Sequence, residues 1–211
     1  VSDPFIPGPV LSIIAAMSQP PLPAFPLRPA RVHEVFGAAA PAFAAICAAG
    51  GSGPVLWVRE SWLPETLHPS GLAMFLDPDR LIIASSADQT DSLAVAEEAL
   101  RDGAVGLVVI EITRPVNLRE GRRLQLAAAA GRSTGLCLIR EGMGSNAAET
   151  RWHAIPVFDP AHEDSTLMRW EITKNKSGTV GAWNVVWNWQ ANRIDVVSPA
   201  GFGPGSAGMS D

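Results

Sequence analysis

Two cysteines, Cys47 and Cys137, are all that 211 residues carry. Both sit inside apolar runs, AFAAICAAG and GLCLIR, with no second ligand-type residue beside them. They read as small buried hydrophobes in a reducing compartment, which excludes a disulfide scaffold and a cysteine metal centre. Charge is scarce too, at 18% of residues. Residues 1–110 hold 5 basic and 11 acidic side chains, and residues 111–211 hold 11 and 10. Affinity for nucleic acid grows with the number of phosphates neutralised, so this balance excludes a generic polyanion binder, and strong independent DNA binding is not expected. Long apolar runs are missing as well: PVLSIIAAM is short, flanked by proline and preceded by no basic residue, so neither a membrane span nor a signal core is expected. A cytoplasmic protein is the expectation. None of His33, His68, His153 and His162 falls at a ligand spacing with the carboxylates. No serine sits in a nucleophile elbow, since GSG at 51–53 reads as a loop before a strand.

What is present is a core: 47% of residues are apolar, ordinary for one buried domain of this length. Residues 1–29 contain eight prolines, a density that forbids regular helix or central strand and predicts an extended N-terminal arm. Residues 199–211, rich in glycine, serine and proline, predict a flexible tail. The globular part is therefore expected over 30–198.

Within it, strands and helices alternate. RVHEVF, PVLWV, RLIIAS, AVGLVVIEI and TGLCLI read as strands. Helices are expected over 38–49, over TDSLAVAEEALRDG with Asp91 or Ser92 as cap, and over 118–130 with Gly131 as stop. This alternation predicts right-handed crossovers and a three-layer α/β/α sandwich with a mostly parallel sheet. Near residue 152 the pattern changes to successive antiparallel strands, TLMRWEIT, TVGAWNVVWNW and IDVV, an antiparallel C-terminal hairpin extension. In its middle strand Trp183, Val185, Trp187 and Trp189 share one face, either packed on the sheet edge or exposed for docking.

The strand RVHEVF runs into Gly37 as a phosphate-binding loop would. That loop needs two glycines so that backbone amides wrap the phosphates, a lysine for their charge and a hydroxyl for magnesium. Here the register gives Gly37, Ala42, Phe43 and Ala44. Charge, hydroxyl and second glycine are absent, so nucleotide hydrolysis, a bound cofactor and a metal are not expected. The residues instead describe an Ala-rich helix start with Pro41 in its first turn and Phe43 and Ile46 filling the vacated space.

Over residues 25 to about 198 the order of these pieces resembles the RecA family. LRPARVHEVFG matches its strand into the phosphate loop, PVLWVRES the next strand with its acidic end, ALRDGAVGLVVIEI the strand of the magnesium-site acid, and RWEITKNKSG the late strand with its lysine turn. The resemblance places Glu60 and Glu111 where that family has its catalytic base and magnesium-site acid. Without a cation or nucleotide they are expected as solvated or hydrogen-bonded relics, the alternative being a metal site. The two DNA-holding loops of the family are contracted to TRPVNLREG and REGMGSNAAETRW. An arginine group remains, Arg114, Arg119, Arg122, Arg123 and Arg151. The match TKNK implies that Lys174 and Lys176 face another protein, the alternative being a solvated basic surface. A partner interface is thus expected on Arg119, Arg122, Arg123, Lys174, Lys176, Trp187 and Trp189.

Among RecA-like families without ATP chemistry, GPVLWVRESWLPETLHPSGLAMFL, EEALRDGAVGLVVIE, RRLQLAAAAGRSTGLCLIR and WEITKNKSG resemble the short proteobacterial ImuA family. That resemblance implies a non-catalytic accessory of the SOS translesion-synthesis mutasome, acting by contact with ImuB and with RecA beside an error-prone polymerase. A SulA-like inhibitor of the cell-division GTPase is the alternative. A monomer or small oligomer is expected, because the nucleotide that joins RecA subunits is missing.

Overall fold

In the computed structural model, residues 22–158 and 166–199 are described. Residues 1–21 of the expected arm (1–29) and 200–211 of the expected tail (199–211) lie outside them. Nine strands form one sheet: β1 (Val32–Phe36), β2 (Val55–Glu60), β3 (Leu81–Ser86), β4 (Leu107–Glu111), β5 (Thr134–Leu138), β6 (Thr150–Pro156), β7 (Met168–Asn175), β8 (Gly181–Asn188) and β9 (Arg193–Pro199). Their spatial order is β3-β2-β4-β5-β1-β6-β7-β8-β9. From β3 to β6 all neighbours are parallel, and from β6 to β9 all are antiparallel.

Among the described residues four α-helices accompany the sheet: α1 (Ala40–Ala49), the single turn α2 (Pro69–Leu72), α3 (Gln89–Asp102) and α4 (Leu118–Gly131). One apolar cluster joins α1 and α2 to the sheet through Phe43, Leu72, Trp57, Trp152 and Trp170. A second joins α3 and α4 to the other face through Leu93, Leu100, Leu124, Val108 and Ile110. The expected three layers are therefore present, built by alternation along each central strand, which sends Val55 and Trp57 to one cluster and Leu56 and Val58 to the other.

The structure adjusts the sequence reading in four places. The cap of α3 is Asp88, whose carboxylate accepts from the amides of Thr90 and Asp91. Those hydrogen bonds also hold its pKa below the ordinary carboxylate range. The apolar strand RLIIAS lies at the sheet edge, so Ile82 and Ile83 are about half exposed, at 50% and 49%. The strand β6, which the sequence reading did not assign, is the last parallel strand and turns the sheet from parallel to antiparallel. Its inward residues Trp152 and Ala154 alternate with Arg151 and His153, a period-two signal too short to stand out beside the loop before it. The C-terminal extension is consequently a three-strand meander on β6.

The final stretch of the arm lies on the domain. Leu22 is buried, and the Phe25 ring packs edge-on to Trp170 with centroids 5.2 Å apart. A buried histidine ties this stretch down. His33 Nε2 is 2.9 Å from the Arg28 carbonyl and its Nδ1 2.7 Å from Thr150 Oγ1. A carbonyl only accepts, so Nε2 carries the proton and Nδ1 accepts from the Thr150 hydroxyl, which in turn accepts from the Trp152 indole N–H. Burial lowers the His33 pKa and keeps the ring neutral. Arg28 reaches Glu149 at 2.9 Å from the same stretch.

Candidate functional site

The turn between β1 and α1 is only three residues long, 37–39. Gly37 has φ of 102°, and a Cβ there would lie 2.3 Å from the Ala154 carbonyl oxygen and 2.9 Å from the His153 ring. Glycine is therefore required at this position by the close approach of β6 as well as by its left-handed backbone. The Ala39 N–H donates to the Ala154 carbonyl at 3.0 Å, Ala40 N–H to the Gly37 carbonyl and Phe43 N–H to the Ala39 carbonyl. Pro41 has no N–H to offer. The start of α1 has no side-chain cap and no acidic residue in its first turn. A phosphate entering here meets the Ala39, Ala40 and Phe43 amides already committed to protein carbonyls.

Phe43 sits elsewhere than the mouth of this turn. It is fully buried beneath α1, with its ring centroid 4.4 Å from Trp170 and 5.3 Å from Trp152. Ala44 is buried beside it, while Ala42 is half-buried. The residue that closes the turn is Ala154, which sequence reasoning missed along with its strand. Its signal was the alternation in TRWHAIP.

The two acids at the strand ends are held by separate partners. Glu60 is buried and accepts from the Thr113 hydroxyl and the Trp62 indole N–H. Thr113 is positioned by Gln89, whose side-chain oxygen accepts from the Thr113 and Arg114 amides. Glu111 accepts from the Trp57 indole N–H at 2.8 Å and pairs with Arg59 Nη2 at 3.4 Å. Neither acid has a histidine, cysteine or third carboxylate to complete a metal-binding group among the described residues.

The basic residues divide into engaged and free. Lys174 donates to the carbonyls of Ser145, Asn146 and Ala148 at 3.1, 2.8 and 2.9 Å, and Lys176 to that of Ala147 at 2.7 Å. These ammonium groups clamp the segment between β5 and β6. Burial, then the nearby charge of Arg151, lowers the Lys174 pKa. Arg151 pairs with the buried Glu34 at 2.8 Å and donates to the Ser145 carbonyl. Arg114 pairs with Glu120, and Arg123 with Glu97 on α3. Arg119 and Arg122 stay exposed on α4 with no ion pair among the described residues.

The tryptophans of β8 divide likewise. Trp183 packs on the core, Val185 is fully buried and Trp187 is 5% exposed, its indole N–H donating to the Met74 carbonyl. Trp189 lies just beyond the strand and is 72% exposed. Between β8, β9 and the α2 region runs a groove of about 1190 Å³, with Trp187, Phe75, Leu76 and Leu167 along its lining and Met74 and Trp189 exposed on it. It begins where α1 ends, at Ala49. There Arg80 donates to the Ala48 carbonyl and Asn192 to the Ala49 carbonyl, satisfying the free acceptors of the helix terminus.

No family model matches the chain. Protein ImuA of Caulobacter vibrioides, from strains NA1000 and CB 15, is 29% identical over 147 residues, covering 62% of this chain and 59% of the relative. The chain thus matches less than two thirds of the length of these curated relatives. Among solved structures, that of the RadB recombinase superposes with a TM-score of 0.57 at 14% identity, covering 79% of this chain and 90% of that one. The fold is thus similar to that of the RadB recombinase. Match and topology together make the chain similar to ImuA in sequence and RecA-like in fold.

Proposed function

We propose that this chain is a non-catalytic accessory protein of damage-induced translesion synthesis, acting through contacts with ImuB, with RecA and with an error-prone polymerase, and that it neither binds nor hydrolyses ATP. One observation carries the reading: the amide of Ala39, where a phosphate would be gripped, is spent on the Ala154 carbonyl. The kinship with ImuA supports the cellular setting. Function then rests on surfaces, and the groove floored by Trp187 and edged by Trp189 offers an apolar one.

The test uses purified full-length protein with purified ImuB, RecA and polymerase in a direct binding assay, beside calorimetry with ATP and magnesium. Saturable binding to ImuB, weakened by Trp189→Ala, is expected, with no heat from ATP. Saturable ATP binding, or failure to bind all three proteins, would remove the reading.

A further inference from the structure

Helices α3 and α4 lie side by side on one face of the sheet and run in the same direction. Arg123 of α4 pairs with Glu97 of α3 at 2.7 Å, and Gly131 at the end of α4 packs so closely on the end of α3 that a Cβ would fall 2.0 Å from the Leu100 carbonyl oxygen. Their inner stripes are buried in the core. Their outer stripes differ in sign. On α3 the exposed positions Asp91, Glu98 and Asp102 flank Val95, which is 39% exposed, and Glu98 pairs with the exposed Arg101 of the same helix at 2.5 Å. The spacing of three to four residues puts all four in one line. On α4 the exposed line is Leu118, Arg122 and Leu126, with Arg119 beside it, and the two leucines are 57% and 70% exposed. Two large leucines bracketing unpaired arginines are unusual on a solvated helix face.

We propose that this α3–α4 face is self-complementary and joins two copies of the chain about a two-fold axis running along the helices. That axis lays α3 of each copy on α4 of the other, so each acidic stripe meets a basic one and Val95 meets the leucine line. A two-fold axis across the helices would instead lay α3 on α3, acid against acid, and is disfavoured by like-charge repulsion. An isologous contact of this kind closes as a dimer and does not propagate into a filament. Two helices of 14 residues are each about 21 Å long and together about 20 Å wide. The face is then of order 400 Å² per copy in projection, about half the roughly 800 Å² per partner of a standard interface, so a weak, transient dimer is expected. Its charge pairs are exposed, so association weakens as salt shortens the screening length from about 10 Å at 0.1 M to about 3 Å at 1 M. The inference is independent of the proposed function.

Sedimentation of the full chain tests it. The wild type is expected to dimerise with concentration at low salt. The variant R119E/R122E leaves both stripes acidic, and D91R/E98R leaves both basic. Each alone is expected to raise the dimer dissociation constant at least tenfold, and their equimolar mixture to restore a one-to-one dimer, because every stripe again faces its opposite. All four positions are exposed, and E98R gives up only the exposed Glu98–Arg101 pair, so circular dichroism of both variants should match the wild type and melting should change little; restoration on mixing further shows that both are folded. A wild type that stays monomeric at hundreds of micromolar, a charge-reversed variant that dimerises undiminished, or a mixture that fails to associate would overturn the proposal.

Discussion

The two ends of α1 are finished in different ways. At its start the backbone of β6 comes within hydrogen-bond distance and takes up the Ala39 amide, and Gly37 is the only residue type the approach allows. At its end Arg80 and Asn192 reach across and cap the last carbonyls, and a groove of about 1190 Å³ opens beside them. In the first place polar groups have been satisfied internally. In the second, apolar surface has been left in water, with Trp189 72% exposed and Met74 55%. The difference teaches where binding energy remains to be used: a closed polar turn has little to give, while exposed aromatic surface gains on being covered.

Substitutions can break this contrast, and the largest effects are expected at the closed side. Phe43→Ala, which empties a fully buried site between Trp152 and Trp170, is expected to cost about 3–5 kcal/mol in urea unfolding. Close behind comes Arg151→Ala. It strands the carboxylate of Glu34, 3% exposed, and about 3–5 kcal/mol is expected in the same measurement.

The His33 latch adds a pH dependence of moderate size. Its folded pKa lies below the ordinary 6.5, so folding favours the neutral ring. The stabilisation is present above about pH 6.5 and is lost as pH falls through that value toward the folded pKa. The difference in unfolding midpoint between wild type and His33→Gln is therefore expected to shrink from pH 8 to pH 5.5; a constant difference would contradict the latch. The smallest stability effect is expected at the open side. Trp189→Ala should move unfolding by less than about 0.5 kcal/mol while reducing ImuB binding, whereas Trp187→Ala should cost about 3–5 kcal/mol. Equal costs for the two tryptophans would erase the distinction between floor and rim.

Much of this was legible in the chain before folding. The run into Gly37, the Ala-rich helix with Pro41 in its first turn, and the continuous apolar strands made five of the six parallel strands legible, all but β6, because local periodicity and turn chemistry agree there. The partners were not legible. Period-two alternation placed Trp187 and Trp189 on one face, yet β8 ends at Asn188 and only Trp187 stays over the core. Lys174 and Lys176 read as a free basic turn, and it takes the long-range approach of residues 145–148 to engage them. Phe25 gave no sign among its prolines of the aromatic cluster it joins. Each of these depends on contacts between residues far apart in sequence, which patterning does not encode.

The account turns on the three-residue turn after β1 having no capacity for a phosphate. Backbone amide chemical shifts of residues 37–44, followed while ATP with magnesium is raised into the millimolar range, test that claim most directly. Unchanged shifts at Ala38, Ala39 and Ala40 are the predicted result. Saturable movement of those resonances would mean that the Ala154 carbonyl yields its amide to a ligand, and the account would be wrong.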